Sequence, residues 1–205
     1  GWWYLENGKV DFNKNDIIKG KADIDPSNKE GVDGWWYVKD GKVTDDTTVA
    51  KNANGWWFVR NGQVDFGYTG VQDNDLGWWA IQKGAVNFSF KGFLPNDYGW
   101  WYLENGKVSF SKDDVISGKA KLDPSPVSEG EDGWWYVKGS KVTAGETVAK
   151  NANGWWYIGP DGKVDFKRNK PATNENGTWY IKDGKVDFTF NGTAYDYTFV
   201  NGKAQ

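Results

Sequence analysis

Residues 1–12 read Gly-Trp-Trp-Tyr-Leu-Glu-Asn-Gly-Lys-Val-Asp-Phe. An aromatic run and a second, mixed run flank the pair Asn7-Gly8. Asn-Gly suits a type I′ turn, whose two central residues both need φ > 0, so the stretch predicts a β-hairpin. About a two-residue turn Glu6 opposes Lys9, Leu5 opposes Val10, Tyr4 opposes Asp11 and Trp3 opposes Phe12. Side chains alternate along a strand and opposed residues share a face. Trp3, Leu5, Val10 and Phe12 therefore form one apolar face. Trp2, Tyr4, Glu6, Lys9 and Asp11 form the other, and the two adjacent tryptophans point in opposite directions.

The same stretch recurs along the chain, sometimes degraded, with its glycine at Gly1, Gly34, Gly55, Gly77, Gly99, Gly133, Gly154 and Gly177. Self-similarity at a period near 22 residues is the signature of a repeat architecture. Most copies carry a two-residue turn such as Asp40-Gly41, Asn61-Gly62, Lys83-Gly84, Asn105-Gly106, Gly139-Ser140 or Asp183-Gly184, while the seventh has the longer Gly159-Pro160-Asp161-Gly162. A second level of order lies above this. GWWYLENGKV stands at both Gly1 and Gly99, and TVAKNANGWW at both Thr48 and Thr147, so residues 1–98 and 99–205 read as two duplicated four-hairpin blocks. Residues 197–205, YTFVNGKAQ, read as a partial ninth unit closing the second block as a terminal cap.

The expected fold is all-β, with tandem β-hairpins stacked as a solenoid, because one isolated hairpin is marginal in water. A β-sandwich or meander is the alternative, since turn signals also recur every 8–12 residues in those folds. Two longer steps hold inserts, residues 13–33 and 111–132, with NDIIKGKA and DDVISGKA before a Pro-bearing loop. They add either a short hairpin or an interface between stacked groups.

Variation among the copies assigns the faces. The second Trp is present in every copy, from Trp3 and Trp36 to Trp179, with partners that stay apolar, such as Val59, Val64 and Phe66. The other face drifts: Tyr4 becomes Phe58 or Ala80, Trp2 becomes Thr178, and Asp11 becomes Asn87 or Ser109. The second-Trp face is expected to be the core.

Composition bounds the chemistry. The 205 residues include 15 Trp, all inside the eight motifs, and no His, Cys or Met. Without Cys there is no disulfide framework or thiol nucleophile, and without His no Ser-His-Asp triad or imidazole metal ligand. The expected metal and cofactor content is none. The net charge of −3 supplies no basic footprint for nucleic acid or an anionic membrane surface. No 18-residue apolar run or signal peptide is visible, so membrane insertion is not expected. With no Met, and with Gly1 opening directly on a motif, the chain is expected to be cut from something longer.

The units GWWYLENGKVDF, GWWFVRNGQVDF and GTWYIKDGKVDF resemble the tandem Trp-rich repeats of clostridial and other Gram-positive surface proteins, relatives of the choline-binding or cell-wall-binding repeats. The resemblance spans nearly the whole chain. It implies an extracellular, cell-surface or cell-wall-associated, non-catalytic module of stacked hairpins that attaches to a cell-wall polymer or glycan, choline-like groups among its ligands. It carries over, as ligand-binding residues, to Trp2 and Tyr4, Trp35 and Tyr37, and their counterparts in later copies. Those counterparts are Trp56 and Phe58, Trp78, Trp100 and Tyr102, Trp134 and Tyr136, Trp155 and Tyr157, and Tyr180.

The residues themselves support such a platform, because aromatic faces attract cations and offer flat apolar surfaces to sugar rings. Asp11, Asp65 and Asp165 stand ready as neighbouring acceptors. The competing reading is that these aromatics pack between hairpins and bind nothing. A structural spacer or adhesin stalk is the alternative function. A carboxylate-pair glycosidase would need a unique pair of acids, whereas the acids here repeat with the motif. DIDPSNKE, residues 23–30, spaces oxygen ligands like a calcium loop but lacks the loop glycine, and reads as a solvated loop.

Overall fold

The computed structural model describes residues 1–123 and 129–205. The centre of the second insert, residues 124–128, lies outside them. The described residues form strands and no helices. They divide into two compact units, Gly1–Lys91 with Glu104–Val108, and Gly92–Leu103 with Ser109–Gln205.

The hairpins expected across the Asn-Gly-type turns are present. Leu5 pairs with Val10 and Glu6 with Lys9, in the anticipated register. Both central turn residues take positive φ: 52° and 75° at Asn7-Gly8, 50° and 79° at Asn61-Gly62, 50° and 78° at Lys83-Gly84. These return strands are short, Gln63–Val64 and Ala85–Val86 being two residues each.

The longer ladder of each repeat runs the other way, to a strand that precedes the Gly-Trp-Trp. Thr48–Asn52 pairs with Gly55–Arg60 across five residue pairs, from Thr48 opposite Val59 to Asn52 opposite Gly55. Gly70–Asn74 with Gly77–Gln82, Gly92–Asn96 with Gly99–Glu104, and Thr147–Asn151 with Gly154–Ile158 repeat the arrangement. After the first repeat, which has no approach strand, a repeat is an approach strand, a Trp strand and a short return strand, the seventh returning through isolated bridges at Lys163 and Val164. The inserts follow the same plan. Asp16–Ala22 is the approach strand of Val32–Lys39, with a loop over residues 23–31 in place of the tight turn, and Asp114–Ala120 is that of Glu131–Lys138.

Successive repeats join through the backbone. The return strand of one repeat bridges the Trp strand before it, as at Trp36 with Gln63, Trp57 with Ala85 and Trp156 with Lys185. The N–H of the residue after the second Trp donates to the turn carbonyl of the next repeat. Examples are Tyr37 to Gly62, Phe58 to Gly84 and Tyr157 to Gly184, all at 2.8 Å. This close approach is why the turn needs glycine: a Cβ on Gly84 would stand 2.6 Å from the Asp65 carbonyl oxygen, at φ +78°. Within each unit the repeats stack in chain order as a solenoid of hairpins.

The core bears out the second-Trp face at its aliphatic positions, Val59, Val64, Leu103, Val137, Ile181 and Val186 being buried, and corrects the assignment elsewhere. Each apolar cluster draws on two successive repeats, as with Val49, Phe58 and Ile81, or Val148, Tyr157, Ile181 and Val186. Phe58 is 1 % exposed, Ile81 0 % and Tyr157 4 %, so the drifting face is sealed at this position. Burying such a side chain contributes about 1.5–3 kcal/mol. On the supposed core face, Trp36, Trp101, Trp135 and Trp179 are buried, but Trp57, Trp79 and Trp156 are half-buried, and Trp3 is exposed at the chain start. Phe66, Phe88, Phe110, Phe166 and Phe188 are all exposed. The reason is local. The return strand ends at its valine, and the following Asp opens a side-chain-capped turn, Asp65 Oδ1 accepting from Gly67 N at 2.9 Å. Strict alternation stops there, and the Phe leaves the sheet.

The chain closes with a ninth repeat: Gly192–Ala194, Tyr197–Val200 and Lys203–Ala204 form its three strands, with Phe199 buried where other repeats place an apolar strand residue.

Candidate aromatic sites between repeats

Asparagine sets the tryptophan in place. In five repeats an Asn ends the approach strand, five residues before the second Trp: Asn52, Asn74, Asn96, Asn151 and Asn174. Asn74 Oδ1 accepts from Leu76 N at 3.0 Å, closing the turn, and from Trp79 Nε1 at 2.9 Å. Its Nδ2 donates to the Val49 carbonyl of the preceding repeat at 2.9 Å. Asn151 and Asn174 make the same three bonds, the donor reaching Val115 O and Val148 O respectively. One amide thus holds a turn, an indole and a neighbouring strand. Where the inserts replace the tight turn, a backbone carbonyl serves instead: Trp36 Nε1 donates to Val32 O and Trp135 Nε1 to Gly118 O, both at 3.1 Å. The recurring Asn five before Trp is visible in the sequence and is the signal that locates these approach strands.

The held indole meets two further rings. In the first unit Trp56 lies 5.7 Å from Trp79 of the next repeat, and Phe88 stands edge-on to both, 6.1 Å from Trp56 and 5.6 Å from Trp79. In the second unit Trp134, Trp156 and Phe166 repeat this with centroids 5.4, 6.1 and 5.7 Å apart. Trp155, Trp179 and Phe188 form a third trio at 5.1, 5.9 and 5.7 Å. Each trio takes the first Trp of one repeat and the second Trp and Phe of the next, with the Phe 43–49 % exposed.

The expected platform residues are placed unevenly. Trp56, Trp134 and Trp155 enter the trios. Trp2, Trp35 and Trp78 are half-buried, and Trp100 is buried at 6 %. Trp2 spends its indole N–H on Asn28 O at 3.2 Å. The next aromatic position is mostly packing: Phe58, Tyr102 and Tyr157 are buried, while Tyr4, Tyr37, Tyr136 and Tyr180 are half-buried. Tyr180 stacks on Phe190 at 3.8 Å. Burial, and donation to Glu146 Oε1 at 2.6 Å, push the Tyr157 hydroxyl up to about 12. Burial also raises Tyr136.

The neighbouring carboxylates are engaged locally. Asp11, Asp65 and Asp165 each cap a turn through Oδ1 at 2.9 Å, and Asp65 also pairs with Arg60 at 3.2 Å. Hydrogen bonds from Thr189 hold Asp187 below the usual carboxylate range. In the 23–30 loop Asp23 accepts from Asp25 N and Asn28 Nδ2, and Asp25 from Ser27 N and Oγ. Those oxygens close the loop on itself.

Stacked three-strand hairpins with clusters of aromatic rings at their joints define a class of tandem-repeat modules. The chain belongs to the choline-binding repeat family, which matches residues 1–11, 29–44, 45–65, 89–109, 127–143, 145–158 and 172–187, more than half of its length. Among solved structures it is similar to choline binding protein F from Streptococcus pneumoniae, at 16 % identity over 99 % of this chain and 89 % of that one, with a TM-score of 0.26. CbpF in complex with ipratropium aligns at 12 % identity over 100 % and 76 %, TM-score 0.33. Alternansucrase in complex with isomaltononaose aligns at 14 % identity over 88 % and 15 %, TM-score 0.24. No curated protein matches the chain. Among the described residues no helix is long and apolar enough to cross a membrane.

Proposed function

We propose that the chain is a non-catalytic, extracellular module that attaches to a cell-wall polymer or glycan bearing choline-like groups, through the aromatic trios. The observation that carries this reading is the recurrence of one arrangement, two indoles and an exposed phenyl ring within 5.1–6.1 Å of one another, at three joints. Ring faces attract a cation within about 6 Å, each contact being worth about 0.5–2 kcal/mol. The second Trp of each trio already carries the next repeat's lysine over its ring, so an ammonium ligand approaches by the exposed Phe. Each trio alone binds weakly. A polymer that engages several gains by effective concentration. Family membership supports the ligand class. The same reading takes residues 1–98 and 99–205 as two copies of one block, each contributing sites of the same kind.

Titration with choline chloride and with soluble wall glycan, followed by tryptophan fluorescence, tests the proposal. A saturable change with either ligand that weakens in Phe88→Ala, Phe166→Ala and Phe188→Ala supports it. No response to either ligand refutes it. The second reading, a spacer or stalk, is favoured by the sealed third position at Phe58, Tyr102 and Tyr157; on that reading the Phe variants change stability and nothing else.

A further inference from the structure

The second Trp of each repeat faces one residue of the next return strand, and in most repeats that residue is lysine. Lys42 lies opposite Trp3, Lys107 opposite Trp79, Lys141 opposite Trp101, Lys163 opposite Trp135, Lys185 opposite Trp156 and Lys203 opposite Trp179. In all six pairs the ammonium stands over the indole, with Nζ 4.7–5.9 Å from the ring centroid. The lysine stem reaches the ring by crossing the glycine that precedes the two tryptophans. A Cβ on Gly99 or Gly177 would stand 2.9 Å from the Cε of Lys141 or Lys203, and one on Gly77 or Gly154 would collide with Lys107 or Lys185. The glycine is therefore the floor of a slot that ends on an aromatic face and takes an alkylammonium. At Trp36 the slot holds a neutral side chain, Gln63, pressed against Gly34.

Trp57 differs. The residue opposite it is Ala85, whose side chain ends at Cβ. A Cβ built on Gly55 meets only Trp57 Nε1, at 3.9 Å, so the space a lysine stem fills elsewhere is open. Among the described residues no lysine or arginine stands over the Trp57 ring. Gly55, Trp57 and Ala85 are all half-buried, so the slot reaches solvent. Trp57 is fixed by its N–H bond to Asn52 Oδ1 at 3.1 Å and by Phe66 edge-on at 5.7 Å.

We infer that the slot formed by Gly55, Trp57 and Ala85 is a ligand site for an organic ammonium group, which takes the place the chain's own lysine takes in six other repeats. This goes beyond the trio sites, since it rests on where the protein's own ammonium groups stand, and it succeeds or fails separately from them. The geometry is drawn from primary ammonium groups; a quaternary group presents the same charge with a wider, apolar shell, and the ring quadrupole attracts both.

The test titrates the full chain with methylammonium chloride and, separately, with tetramethylammonium chloride, following each indole Nε1–H by NMR. The expected result is a saturable shift of the Trp57 resonance with at least one probe, which also shows whether the slot prefers the primary or the quaternary ion. Ala85→Lys fills the slot and abolishes that shift. Ala85→Gln, which copies the side chain that Gln63 places against Gly34, does the same without adding charge. Lys107→Ala opens an equivalent slot and enlarges the response of the Trp79 resonance beyond the parent's. A Trp57 resonance indifferent to both probes, or one that responds equally in Ala85→Lys, overturns the inference. Failure here with intact responses at Trp56, Trp134 and Trp155 leaves the trio proposal standing, and the reverse pattern refutes the trios alone.

Discussion

Replacing Asn74 by Ala removes three hydrogen bonds at once: Leu76 N and Trp79 Nε1 lose their acceptor, and the Val49 carbonyl loses its donor. A typical bond of this kind contributes about 0.5–1.5 kcal/mol net, and a polar group left unsatisfied costs about 1–3 kcal/mol. Trp79 and Asn74 are half-buried, so water recovers part of the loss. The balance is a destabilisation of about 2–4 kcal/mol. Asn74→Asp keeps both accepted bonds but loses the donor and turns a carboxylate oxygen toward the Val49 carbonyl, so about 1–3 kcal/mol is expected. The assay is urea unfolding read by tryptophan emission, with the midpoint falling and the slope m unchanged. Because repeat arrays can unfold in parts, native-state hydrogen exchange at the amides of residues 48–52 provides the local readout. A double-mutant cycle with Trp79→Phe isolates the indole bond, and a coupling of about 0.5–1.5 kcal/mol is expected. If Asn74→Ala unfolds within about 0.5 kcal/mol of the parent, or the cycle shows no coupling, the amide does not hold the repeats as argued.

Three further outcomes follow from the same geometry. Gly77→Ala and Gly55→Ala place a side chain at similar φ, +144° and +146°, but only the first meets a lysine stem, so Gly77→Ala unfolds at clearly lower denaturant and Lys107→Ala narrows the gap between them. Tyr157 is a pH probe: its hydroxyl is held at about 12 in the fold against an ordinary 10.0, so the folded state keeps its proton while the unfolded chain releases it. Stability from this group is complete below pH 10 and falls as pH rises toward 12, by about 1–2 kcal/mol after solvent screening, and Tyr157→Phe flattens that part of the stability–pH curve. Phe88→Ala trims a ring that is 49 % exposed, so it costs about 0.5–1.5 kcal/mol of stability, visible as a small midpoint shift, while weakening ligand response more than it weakens the fold.

The hairpin turns are legible in the sequence because Asn7-Gly8 and its counterparts carry a backbone requirement that few residue pairs meet, and the register about a two-residue turn then follows. The approach strands leave one mark, the Asn five residues before the second Trp. TVAKN, GVQDN and GFLPN share little but the final Asn, because a strand held by its backbone places few demands on its side chains. The inserts separate the same strand, Asp16–Ala22 or Asp114–Ala120, from its Trp strand by nine or ten residues in place of two.

The aromatic sites are half legible. Sequence variation marks Trp56, Trp134 and Trp155 as non-core tryptophans, and they do turn toward the next repeat. Strand alternation extended past the valine assigns Phe88, Phe166 and Phe188 to the core, but the Asx turn has already ended the strand there. Phe58, Tyr102 and Tyr157 fall on the open face of a single hairpin; stacking the next hairpin covers it. Both errors arise from treating a hairpin alone, when burial here is a property of two successive repeats.

The most direct test of the account is sedimentation of the purified chain with isolated Gram-positive cell wall, comparing the parent with a Phe88→Ala, Phe166→Ala, Phe188→Ala triple variant whose fold is verified by unchanged far-ultraviolet circular dichroism. The account predicts that the parent co-sediments and is released by free choline, and that the folded triple variant stays in the supernatant. Equal binding by the two proteins, or a parent that never leaves the supernatant, contradicts it.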